Sequence, residues 1–183
     1  MSELEERRSL LIQPEPFGVA ALRTALERRE REGGTVGANL VLCGALSPRH
    51  WAAFLEEVTG LDRVEPQMLE SLSNETFSCL PRELVFDAGL LPIYCATGAL
   101  VVALCDPLEE GLHEDLRLFA GCEVGRVILG IELMARYYPK LAGRPWRVEE
   151  SALKDAEFPL DENLRDALYR MAQLDAELNA AHQ

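Results

Sequence analysis

The sequence predicts an α+β protein: a helical part built from two tandem repeats, a small ββαβα unit, and one appended helix. Three observations carry this. One apolar pattern occurs twice near the start of the chain. The hydrophobic period switches from helical to strand-like at Leu90. Apolar residues spaced seven apart mark the final stretch.

The doubled pattern runs Leu11-Ile12, Phe17, Leu22 and Leu26. It returns 29 residues on, Leu22 matched by Trp51, as Leu40-Val41, Leu46, Trp51 and Leu55. Each copy reads as a short apolar turn, a loop and an amphipathic helix. One such unit cannot bury its apolar face alone, so two copies imply a paired unit. In the first, the Pro14/Pro16 break precedes a helix from about Gly18 to Glu32, with Val19, Leu22, Ala25 and Leu26 inward and Gly33-Gly34 ending it. In the second, a helical turn covers Gly37 to Leu42 and breaks at Gly44. Ser47-Pro48 then caps a helix carrying Trp51, Phe54, Leu55 and Val58, which stops at Gly60. Short helical pieces come next, around Pro66–Leu72 and Pro81–Ala88.

Leu90–Cys95 and Ala99–Leu104 are compact β-forming runs joined by Ala96-Thr97-Gly98, a tight hairpin. After Asp106-Pro107 comes a helix from about Gly111 to Ala120, with Leu112, Leu116 and Phe119 inward. Val124–Leu129 is a strand and Ile131–Tyr138 a helix. Pro139, Gly143, Pro145 and Pro159 punctuate the stretch from 139 to 160. Asp161 caps a last helix, where Leu164, Met171 and Leu178 recur at seven, as do Ala167, Leu174 and Ala181. The expected layout is residues 1–62 helical repeats, 63–89 connector, 90–142 α+β unit, 143–160 linker and 161–183 terminal helix.

Net charge is −13, with 31 acidic against 18 basic residues. That excludes bulk attraction to nucleic-acid phosphates or anionic lipid, which need clustered Lys and Arg. No 18-residue apolar run occurs, and the charged start MSELEERRSL lacks a signal peptide's apolar core. The chain reads as cytoplasmic, with no membrane insertion. Its five cysteines form no CxxC pair and each lies in or beside an apolar stretch, so they read as reduced core thiols.

No GxxxxGK[ST] loop or GxGxxG turn is present, and the three histidines are scattered. Asp106, Glu109, Glu110, Glu114 and Asp115 surround His113, but acids at a helix start answer the dipole without any metal. The expectation is no enzyme, no metal and no cofactor. Trp51 reads as core or as a stacking platform. Trp146, in Gly-Arg-Pro-Trp-Arg, either tucks the linker onto the body or anchors a partner.

The stretches LLPIYCATGALVVALCDP, LRLFAGCEVGRVIL and IELMARYY, coming after tandem helical units, resemble the N-terminal domain of type II secretion and type IV pilus assembly ATPases, the GspE-N or MshEN domain. The resemblance covers roughly residues 9–138 and is most specific from Leu90 to Tyr138. It implies a two-motif frame similar to sites that bind cyclic di-GMP, with Arg and Gln on the bases and apolar residues as a floor. Leu11, Ile12, Leu22 and Leu26 keep that floor in the first motif, and Leu40, Val41, Gly44, Leu46 and Leu55 in the second. The motif glycine falls on Gly37 and Arg8, its Arg on Glu6 and Thr35, and its Gln on Arg29 and Val58.

All four base-contact positions are thus changed, so the resemblance implies a non-catalytic regulator or adaptor working through a protein partner of a secretion, pilus or motility machinery. The alternative is a cyclic di-GMP receptor with a diverged site: Arg8, Leu11, Ile12, Arg29, Gly37, Leu40, Val41, Gly44 and Leu46. The partner surface expected is Trp146 with Leu164, Met171, Leu174 and Leu178; the same stripe would serve a homodimer.

Overall fold

A computed structural model describes residues 17–147, 153, 162 and 164–170. Helix α1 (Phe17–Glu32) ends at Gly33 and Gly34, both at positive φ. Thr35 caps α2 (Val36–Leu42), its hydroxyl accepting from the Ala38 amide, and Ser47 caps α3 (Pro48–Thr59) through the His50 amide. These are the signals expected of Gly33-Gly34 and Ser47-Pro48. Helix α4 (Pro66–Glu70), α5 (Asn74–Phe77) and α6 (Arg82–Ala88) form the connector. The four-residue α5 is too short for a periodic signal. Tertiary contact holds it: Phe77 is 1% exposed and meets the Tyr138 ring edge-on.

Strands β1 (Leu90–Ala96) and β2 (Ala99–Leu104) form the antiparallel hairpin. Helix α7 (Glu110–Ala120) crosses to β3 (Glu123–Ile128), which lies parallel to β2, giving the order β1-β2-β3. The free edge of β3 gains a partner from the connector. Val64 N–H donates to the Ile128 carbonyl at 2.9 Å, and Ile128 N–H to the Asp62 carbonyl at 2.8 Å. Helix α8 (Ile131–Ala142) comes next, and residues 164–170 form α9.

The core does not divide between repeats and sheet. Leu40, Trp51 and Leu55 belong to the same buried cluster as Leu90, Leu104, Ile128 and Met134.

Several expectations are corrected. Helix α8 runs through Pro139 to Ala142 rather than ending at Tyr138. Proline costs a helix one hydrogen bond, but Tyr137 and Tyr138 are buried, and their packing carries the last turn on to Gly143. Leu26 is 37% exposed and Phe119 57% exposed, neither inward. In α1 the inward face is set by Ala21 and Ala25, small residues that let helices approach. In α7 it is Leu116 that is fully covered. Of the cysteines only Cys105 is buried; Cys43, Cys79 and Cys122 are half-buried and Cys95 is exposed.

Candidate functional site

The elements that carry the family-like motifs meet at the turn after β2. Asp106 is 3% exposed. One carboxylate oxygen accepts from the Leu108 amide two residues on, at 3.2 Å, the local bond an Asp in a turn tends to make. The other accepts from the Gly37 amide at 3.4 Å, across the molecule. Thr35 and Asp106 therefore share the first amides of α2, one from its own chain end and one from the sheet. Burial pushes the Asp106 carboxyl up to about 7, helped by the charge of Glu109; the two amides and Arg29 pull the other way.

Both neighbours of that turn hold the repeats. The Trp51 indole N–H donates to the Cys105 carbonyl at 2.9 Å. Arg29 of α1 pairs with Glu109 at 3.0 Å. All three repeat helices are thus fastened to residues 105–109.

This geometry gives a structural place to each described residue of the expected ligand set. Leu40, Val41 and Leu46 are 0%, 7% and 2% exposed, so the apolar floor is core. Gly37 lies under Trp51: a methyl group there would stand 2.0 Å from the indole Cε2. Gly44 is exposed at a positive-φ turn. Arg29 is tied to Glu109, Thr35 is a helix cap, and Val58 packs half-buried. Arg8, Leu11 and Ile12 lie outside the described residues. Trp51, 1% exposed, takes the core alternative; its face is no stacking platform.

Trp146 turns inward at 5% exposure and tucks its segment onto the body. Its indole N–H donates to the Phe86 carbonyl at 3.0 Å, an acceptor near the end of α6 that the helix itself leaves open. Arg147 does likewise for α1, donating to the Glu32 carbonyl at 2.7 Å, and also pairs with Asp87 at 3.0 Å. The dipeptide pins two helix ends together.

Leu164 is buried, Ala167 of the same expected stripe is half-buried, and Leu168, outside that stripe, is fully covered. Arg165 and Tyr169 of α9 both reach Glu57 of α3, and Tyr169 packs edge-on against Phe54. The Tyr169 hydroxyl, then Arg165, hold the Glu57 carboxyl below its usual range. Met171, Leu174 and Leu178 lie outside the described residues.

The acidic residues near His113 disperse. Asp106 points inward, Glu109 to Arg29 and Glu114 to Arg117. Among the described residues no group of three His, Cys, Asp or Glu side chains converges as a metal site. Nor, among them, is any helix long and apolar enough to cross a membrane. Reading Asp106 only as one of these acids missed its role. The signal was there: an Asp-Pro directly closing a buried strand.

No family model matches the chain. Over 133 residues it is 26% identical to the type IV pilus assembly ATPase PilB of Myxococcus xanthus, a match covering 70% of this chain and 23% of that protein. The chain therefore spans about a quarter of that relative's length. Among solved structures, one of MshE with cdg is similar at a TM-score of 0.44 and 23% identity, covering 65% of this chain and 88% of that one. The N-terminal domain of XpsE is similar at 0.49 and 18% identity, covering 80% and 98%. The sequence likeness is to an assembly ATPase of the kind the residue-level resemblance implies.

Proposed function

We propose, from the likeness to the N-terminal domain of secretion and pilus ATPases, that this chain is a non-catalytic regulatory or adaptor domain. It acts by binding a protein partner of a bacterial secretion, pilus or motility machinery on the cytoplasmic side. One observation carries the choice over nucleotide binding. The described positions where the family's motif would grip bases have other partners: Thr35 is a cap, Arg29 pairs with Glu109, and Val58 packs half-buried. A guanidinium on a guanine edge is worth about 1–3 kcal/mol. Losing such contacts at both motifs removes several factors of ten in affinity.

The competing reading, a cyclic di-GMP receptor with a diverged site, draws on the kept apolar frame of Leu40, Val41 and Leu46. Calorimetric titration separates the two. The expected result is no heat of binding with cyclic di-GMP, together with a saturable complex between the chain and an assembly ATPase of its own bacterium. Micromolar nucleotide binding that weakens on Arg29→Ala would overturn the adaptor reading.

A further inference from the structure

Three cysteines line one surface cleft that the adaptor reading leaves unused. The cleft, of about 340 Å³, lies at the β1–β2 turn and is bordered by Cys79, Cys95 and Cys122, with Thr97, Leu100 and Phe119. Sheet register explains the gathering. Cys95 pairs with Leu100 across the hairpin, and Leu100 with Val124 on β3, so one row of the sheet leads from Cys95 to the strand that Cys122 precedes. Cys79 arrives from the α5–α6 turn because α5 packs on β1. Cys79 and Cys95 border the same cleft, and the Cys95 side chain stands near enough to raise the Cys79 thiol. Cys95 is exposed and Cys79 half-buried, so a small solute reaches the first and the second waits behind it.

We propose that Cys79 and Cys95 are a dithiol that a hydroperoxide oxidises to an intrachain disulfide, fastening the α5–α6 turn to the β1–β2 hairpin. Burial first, and then the Cys95 sulfur, push the Cys79 thiol up to about 12, so Cys79 keeps its proton and Cys95 is the nucleophile. In the first step the Cys95 thiolate attacks the outer oxygen of the hydroperoxide. An S–O bond forms, the O–O bond breaks, and the departing alkoxide takes a proton from water to leave as the alcohol or, for hydrogen peroxide, as water. In the second step the Cys79 sulfur attacks the sulfenic sulfur of Cys95. The S–S bond forms, the S–O bond breaks, and hydroxide leaves as water with the Cys79 proton. The two thiols are oxidised by two electrons, and the peroxide O–O bond receives them. Cys122 shares the cleft and serves as the internal control.

The test treats the full chain with one equivalent of hydrogen peroxide, counts free thiols and maps peptides without reduction. Wild type and Cys122→Ser are expected to lose two thiols, appear as a Cys79–Cys95 linked peptide, and recover both with dithiothreitol. Cys79→Ser is expected to stop at a sulfenic acid on Cys95, trapped by dimedone. A Cys95–Cys122 link, or over-oxidation of Cys95 in wild type while Cys79 stays free, would overturn the proposal. The wild-type map decides even if a variant folds poorly.

Discussion

Trp51 lies so close over Gly37 that a single added methyl group would meet the indole Cε2 at 2.0 Å. The second repeat thus pairs its largest residue with its smallest, and the indole N–H reaches the Cys105 carbonyl from that position. The fit joins the helical repeats to the sheet.

Gly37→Ala should therefore destabilise the fold, since the indole cannot move without giving up that bond. Overpacking of a filled core costs about 1–3 kcal/mol. Trp51→Leu in the same chain should recover part of the loss, because the smaller side chain frees the space. Chemical denaturation of the single and double variants reads this, and additive losses would count against the fit.

Asp106 gives the stability curve a sign. Its carboxyl titrates near 3.8 when free and at about 7 in the fold. Between those values the folded chain holds a proton that the unfolded chain has released. The contribution is fully present below the lower value and is lost as pH rises to the upper one. Asp106→Asn, which carries no charge at any pH, should gain on wild type as pH climbs through that window. Urea midpoints of both proteins across it are the measurement; parallel curves would show that burial does not govern this carboxyl.

Trp146 is predicted to be a stability residue. Trp146→Ala removes a buried indole and should cost about 3–5 kcal/mol. Trp146→Phe keeps most of the packing but strips the Phe86 carbonyl of its donor, at about 1–3 kcal/mol. Thermal melts of both variants that match wild type would show that this packing does not stabilise the fold.

Leu168 of α9 is fully buried. It is the fully covered residue of this stretch, so Leu168→Ala should release 164–170 locally rather than unfold the whole chain. Amide hydrogen exchange should become fast across 164–170 while the α8 and sheet amides stay protected. Unchanged exchange in the variant would mean that the helix does not depend on this contact.

Element order was legible because its signals are local. Gly33-Gly34, Ser47-Pro48, the β-forming runs at Leu90 and Ala99 and the turn at Gly98 each act within a few residues, and the structure places elements at all of them. The end of α8 and the presence of α5 were not legible. Both depend on the Tyr138 side chain, which meets Phe77 from elsewhere in the chain.

The candidate site was legible as a set of residues and not as an arrangement. Gly37, Trp51, Arg29 and Asp106 stood out in the sequence for separate reasons, and nothing in their spacing said that they meet. By itself the sequence determined most of the secondary structure and the family likeness, since propensities, caps and turns are set by neighbours along the chain. Only the tertiary structure decided which helix faces turn inward, that Asp106 caps a distant helix, that Trp146 looks into the body, and that Cys79 and Cys95 border one cleft. Those outcomes depend on how elements dock, which is fixed by packing between residues far apart in the chain.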